Sequence, residues 1–157
     1  MKTPVNFYER EFYVLSNFSA FEVVYNNNHF KTSEHAYQAQ KFGVSSGNSI
    51  MTDDDVRYRE RYRGVQCARS AHDAFKYAET HKADRRPDWD QIKVDVMRDI
   101  LREKAKQHEY VSRKLLETSD RPLIEMSWRD SFWGWGADQN GENMLGRLWM
   151  EVRSELQ

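Results

Sequence analysis

The chain has 157 residues and a formal net charge of −1, enough mass for one sizeable core and no overall basic field for a polyanion. Its single cysteine, Cys67, excludes an internal disulfide and a cysteine-built metal site, and reads as filler. Met1 to Asn6 contain no apolar signal core and no run approaches the roughly 18 apolar residues of a membrane span, so a soluble, cytoplasmic protein without a membrane partner is expected.

Residues 6–32 are rich in aromatic and β-branched side chains. Phe21, Val23 and Tyr25 alternate with Glu22 and Val24, Asn26 to Asn28 tolerate a left-handed turn, and His29 to Lys31 can return as a second strand. A small hairpin is expected there. Ser33 is the expected N-cap of a short helix from Glu34 to Phe42. The polar stretch Ser45 to Asp55 reads as a loop, and Asp53 to Asp55 favour the start of a helix continuing through Val56 to Arg63. Arg69 to Lys82 forms another helix. Asp88 is the expected cap of the helix ending at Gln107, with Trp89, Ile92, Val96, Ile100 and Leu101 on its apolar stripe. Tyr110 to Glu117 and Asn143 to Leu156 complete the helices, and Ser127 to Glu142 reads as an ordered loop. The pattern predicts a mainly α chain with a small β element near its N-terminus.

Positions i, i+4 and i+7 fall on one helix face, so Glu34, Gln38 and Lys41 present a carboxylate, an amide and an amine in one line. A carboxylate beside an amine can exchange protons with it, and the amine can attack a carbonyl-like carbon. A solvated charge pair explains the same spacing. His35 reads as a partly buried core histidine. The five histidines show no metal-ligand spacing, and no metal is expected.

Two further segments carry possible chemistry. From Trp128 to Asn143, tryptophans alternate with glycines and with Asp130, Asp138, Asn140 and Asn143, a composition that stacks a ring on a ligand and offers partners to sugar hydroxyls. A packed loop whose Asn143 caps the last helix is the alternative. Arg57 to Arg63 interleave arginine with tyrosine, which suits either a phosphate-binding edge or an amphipathic helix with its tyrosines inward. No Walker loop or dinucleotide-binding glycine signature is present, which argues against a P-loop nucleotidase and a Rossmann dehydrogenase.

These segments, in this order, resemble the NADAR family with its YbiA-like members. The matching residues are Leu15 to Phe18, Thr32 to Phe42, Arg86 to Trp89 with Lys93 and Met97, Leu115 to Thr118, Asp130 to Gly134, and Asn143 to Arg153. The match runs from Asn6 to Leu156, and several ordered motifs agree. The resemblance implies a single compact helical domain over residues 1–157 with a small N-terminal hairpin. It also implies cleavage, without a cofactor, of the bond between a ribose C1 and the exocyclic amine of a heterocycle. Family substrates are phosphoribosylamino-pyrimidine intermediates of riboflavin synthesis or guanine bases carrying ADP-ribose. The expected partner is therefore a ribosylated nucleobase or nucleotide, or ADP-ribosylated nucleic acid.

On that resemblance Lys41 displaces the base through a Schiff base and Glu34 shuttles protons, with direct water attack as the competing route. Gln38 orients sugar or lysine. Phe18, Trp89 and Trp133 are expected as aromatic walls, and Asn17, Asp130, Gly134 and Asn143 as substrate contacts. The stretch between Phe42 and Trp89 is longer than in compact family members, which leaves the substrate open between the two classes. A module that binds ADP-ribose or NAD without turnover is the alternative function, and a nucleic-acid adaptor using the Arg57 to Arg63 edge is a weaker third.

Overall fold

In the computed structural model, which describes residues 1–8, 10–43 and 52–157, a short parallel strand pair joins distant parts of the chain. Strand β1 (Val5–Asn6) runs alongside β4 (Leu123–Ile124), with Val5 opposite Leu123. Two residues are too few to show an alternating pattern, so neither strand stands out in the sequence. A 3-10 helix, Arg10–Leu15, follows β1 and buries Phe12, Val14 and Leu15.

The hairpin forms as expected. Strand β2 (Val23–Tyr25) pairs antiparallel with β3 (Asn28–Phe30) across Asn26 and Asn27, whose φ values are 49° and 62°. Two consecutive left-handed residues match the twist of the strands they join, and asparagine adopts that conformation at low cost.

Helix α1 (Ser33–Gln40) starts one residue away from the expected cap. Thr32, not Ser33, is the N-cap: it is extended, and its hydroxyl accepts the His35 N–H at 3.1 Å. The Ser33 hydroxyl is used elsewhere, donating to Asn17 Oδ1 at 3.0 Å. Every residue of α1 is buried, so the helix is a central element and its charges are not a solvated surface pair. His35 is a satisfied core histidine, with Nδ1 2.8 Å from the Thr32 hydroxyl and Nε2 3.0 Å from Ala68 O.

Helices α2 (Asp53–Gln66) and α3 (Ala71–Thr80) pack on α1. Thr52 and Asp55 close a capping box ahead of α2, while residues 45–51 of the expected polar loop lie outside the described residues. The α2 edge takes its plainer form. Arg57 and Arg61 both pair with Asp84, at 3.2 and 2.8 Å, and Tyr62 is buried with its hydroxyl accepting from Gln40 at 3.2 Å. Cys67 is exposed just past α2.

Helix α4 (Trp89–Gln107) packs on α1, β2 and α6 (Met144–Leu156), and α5 (Glu109–Glu117) braces α6 and the 3-10 helix. The buried stripe of α4 is Trp89, Met97, Ile100, Leu101, Lys104 and Ala105, with Ile92 and Val96 only partly buried against the core. Asp88 precedes α4 without capping it, because its carboxylate takes a two-point bond from Arg86 at 2.6 and 2.9 Å. Asn143 likewise does not cap α6: it is left-handed, at φ 50° and ψ 42°. Trp149 anchors α6 by donating its indole N–H to Leu15 O at 2.9 Å. Among the described residues no helix is long and apolar enough to cross a membrane.

Candidate active site

Lys41 directly follows α1 with helical backbone angles, φ −61° and ψ −25°, so the stripe from Glu34 through Gln38 to Lys41 is unbroken. Glu34 is 7% exposed and Lys41 9%. The Gln38 carboxamide donates to Glu34 Oε1 at 2.8 Å. Its own oxygen, Oε1, is buried and has no hydrogen-bond partner among the described residues. An unpartnered buried acceptor is costly, which sets this atom apart from the other buried side-chain polar atoms among the described residues.

Burial governs the two charges. It raises the Glu34 carboxyl above the ordinary carboxylate range, with the Gln38 bond and Lys41 opposing and Asp130 assisting. It lowers the Lys41 amine; Glu34 and Glu79 oppose, while Arg85 and Lys93 assist. Lys41 forms no ion pair among the described residues, and its Nζ sits 5.6 Å from the centre of the Tyr37 ring. Burial thus favours the neutral form of each group more than water would, while their mutual attraction works against it.

Tyr37 organises the aromatic side. Its ring meets Trp89 at 5.1 Å and Trp133 edge-on at 5.4 Å. Trp89 is only 2% exposed, so it supports Tyr37 from within the core, whereas Trp133 is partly open. Phe18 is 43% exposed. Asn17 is buried beside the stripe: its carbonyl accepts the Glu34 N–H at 3.0 Å, and its amide reaches Met97 Sδ at 3.5 Å. Asn17 therefore holds the start of α1.

The tryptophan–glycine loop is ordered by its own backbone. Asp130 Oδ1 accepts the N–H groups of Phe132 and Trp133 at 2.9 and 2.8 Å. Trp135 N–H reaches Glu125 O at 3.0 Å, and Asn143 N–H reaches Gly134 O at 2.9 Å. Gly134 has no room for a side chain, since a Cβ there would come within 2.9 Å of both Asp130 O and Glu125 O. The Asn143 carboxamide is committed to the scaffold: it accepts from Glu125 N and donates to Leu123 O, each at 2.9 Å.

Sequence reasoning missed Glu125, just past β4. Its carboxyl is buried and pushed up to about 7 by that burial, with the charges of Asp130 and Glu34 adding to the effect and the Tyr8 hydroxyl opposing it. A lone acid after two apolar residues gives little sign of this. Lys104 was missed too, although its place on the Ile100 and Leu101 face was visible in the spacing. It is fully buried and lowered to about 7 by that burial, bonding Ser16 O at 3.0 Å, Ser19 Oγ at 2.9 Å and Ser33 Oγ at 3.5 Å.

Among the described residues no group of three or more His, Cys, Asp or Glu side chains could hold a metal ion. A separate open groove of about 540 Å³ between the hairpin and α4 shares no lining residue with this site.

The NADAR domain model matches residues 6–157. The chain is 40% identical over 159 residues to the riboflavin biosynthesis protein VVA0006 of Vibrio vulnificus, a match covering all of this chain and 40% of that protein's length. It is 35% identical over 156 residues to the N-glycosidase YbiA of Escherichia coli, covering 98% of this chain and 89% of that one. The NMR structure of E. coli YbiA superposes with a TM-score of 0.78 at 32% identity, covering 98% of this chain and 84% of that chain. Its helical architecture and its matched length together assign the chain to the NADAR family.

Proposed function

We propose that the protein is an N-glycosidase that hydrolyses the bond between a ribose C1 and the exocyclic amine of a heterocyclic base, through an imine on Lys41. The observation that carries this reading is the paired burial of Glu34 and Lys41, which favours a proton-bearing carboxyl beside a nucleophilic amine. The names of its relatives, N-glycosidase and riboflavin biosynthesis protein, support the same class.

A sugar joined through an exocyclic amine is a glycosylamine, which opens to an imine when its ring oxygen is protonated. Glu34 gives that proton as the C1–O bond breaks. The Lys41 lone pair then adds to C1, and the resulting ammonium returns a proton to Glu34. Loss of the base as a free amine leaves the Lys41–sugar imine, and water restores the amine and releases the sugar aldehyde, which recloses. Gln38 steadies Glu34, and its free Oε1 accepts from a sugar hydroxyl. Trp133 and Phe18 flank the base, and Asp130 holds the loop that carries Trp133.

The test is turnover on a phosphoribosylamino-pyrimidine and on ADP-ribosylated guanine, side by side, with borohydride added in parallel. Release of free base and a reduced sugar adduct on wild type, absent from Lys41→Ala, is expected. An adduct that persists in Lys41→Ala removes Lys41 from the chemistry. Tight ADP-ribose binding with no base released from either substrate would instead identify a binding module.

A further inference from the structure

The mechanism above needs a proton at two different atoms. Glu34 serves the ring oxygen, and the departing exocyclic nitrogen must gain a proton of its own as the C1–N bond breaks. An aromatic amine leaves poorly as an anion, so this second transfer weighs on the rate.

The fold brings a second buried carboxyl within electrostatic reach of Glu34 by a separate route. Glu125 continues β4, and Tyr8 lies two residues past β1, the strand paired with β4. The Glu125 main chain is clamped on both sides, its N–H by Asn143 Oδ1 and its carbonyl by Trp135 N–H. Gly134 packs directly on that carbonyl, and the neighbouring Trp133 meets Tyr37 of α1, three residues from Glu34. Gln38, whose Oε1 is buried and unpartnered among the described residues, lies on the same helix face as Glu34. Glu125 is buried, yet no arginine, lysine or histidine pairs with it among the described residues. Its side-chain partner is the Tyr8 hydroxyl, a neutral donor.

We infer that Glu125 is a second catalytic acid and base of this site, protonating the leaving exocyclic amine and then taking a proton from the water that hydrolyses the Lys41–sugar imine. This rests on the glycosidase reading above. The protons balance: Glu125 loses one to the base nitrogen, regains one from water as hydroxide adds to C1, and ends the cycle protonated. Glu34 completes its own cycle between ring oxygen and lysine nitrogen. The two acids thus act on separate atoms and do not substitute for each other. Charged and titrating groups facing Glu125 are Tyr8, Asp130 and Glu34, and with its carboxyl pushed up to about 7 both its acid and its base form are populated near neutral pH.

The test is a leaving-group series: ribosylamines of aromatic amines whose basicity falls stepwise by ring nitration, assayed with wild type, Glu125→Gln and Glu34→Gln. Glu125→Gln is expected to lose about 100- to 1,000-fold in kcat on the most basic amine and under about tenfold on the most activated one. The Glu34→Gln deficit stays constant along the series. Tyr8→Phe, at an exposed residue, keeps the fold and removes the hydroxyl that lowers Glu125, so the alkaline limb of its kcat profile moves to higher pH. Equal Glu125→Gln deficits along the series, wild-type activity in Glu125→Gln, or an unmoved limb in Tyr8→Phe would each overturn the role. If wild type releases no amine from any ribosylamine, the glycosidase reading falls and takes this role with it; wild-type turnover with a flat series overturns Glu125 alone.

Discussion

Gln38 donates to Glu34 Oε1 at 2.8 Å and keeps its own carbonyl oxygen unpartnered. One side chain therefore fixes the acid and leaves a buried acceptor unpartnered. The bond favours the ionised form of Glu34, so it moderates the rise that burial imposes. In Gln38→Met both effects vanish. The limb of the pH–rate profile belonging to Glu34 shifts to higher pH, and a hydrogen bond worth roughly 1–3 kcal/mol in transition-state positioning is lost, read as a decline in kcat/KM. A profile superimposable on wild type would show that the bond does nothing for Glu34.

Lys104 couples stability to pH. Its folded value of about 7 lies below the ordinary lysine value near 10.4, so between them the unfolded chain binds more protons than the folded one. Its stabilising contribution is complete above the unfolded value and is lost as pH falls through about 7. Urea unfolding at several pH values from 6 to 9.5 should show wild type gaining on Lys104→Met as pH rises, by on the order of a few kcal/mol across the window. A constant difference between the two proteins would contradict this.

Gly146 lies where α6 passes β4. A Cβ there would come within 2.1 Å of Leu123 O and within 2.6 Å of the Asn143 amide. Alanine would gain up to about 1 kcal/mol in helix propensity, but overpacking costs about 1–3 kcal/mol or more and displaces the carboxamide that holds Glu125. Gly146→Ala is expected to melt at lower temperature and to lose activity beyond its loss of fold, measured well below its melting point. Full activity in the folded variant would separate the Asn143 clamp from the site.

Arg57 and Arg61 are spent on Asp84. The double variant Arg57→Ala, Arg61→Ala is expected to change kcat/KM on a small ribosylamine by less than about twofold. A large rise in KM would return the α2 edge to the substrate path.

The helix carrying Glu34, Gln38 and Lys41 was legible because its residues are contiguous: periodicity alone puts them on one face. The hairpin was legible because Asn26 and Asn27 encode their own backbone conformation. Cap assignments failed where a side chain had a better partner, as Ser33 has across the fold in Asn17 and Asp88 has two residues back in Arg86. The strand pair β1 and β4, and with it Glu125, was illegible because the pairing joins residues far apart with no local pattern on either side. Composition alone suits Asn143 to a cap or a sugar contact. Its left-handed backbone turns the carboxamide toward β4, an orientation that only the folded chain defines.

The pairing of Val5 with Leu123 also bears on the order of folding. Closing so long a stretch of chain is opposed by entropy, and contacts of high sequence separation form slowly. Helix α1 is eight residues long and wholly buried, so Glu34, Gln38 and Lys41 are held in line only as α2, α3 and α4 pack around it. Tyr8 reaches Glu125 only once β1 docks. The amine, its partner acid and the Glu125 carboxyl therefore all depend on long-range packing, the first two on the helices around α1 and the third on the docking of β1 against β4.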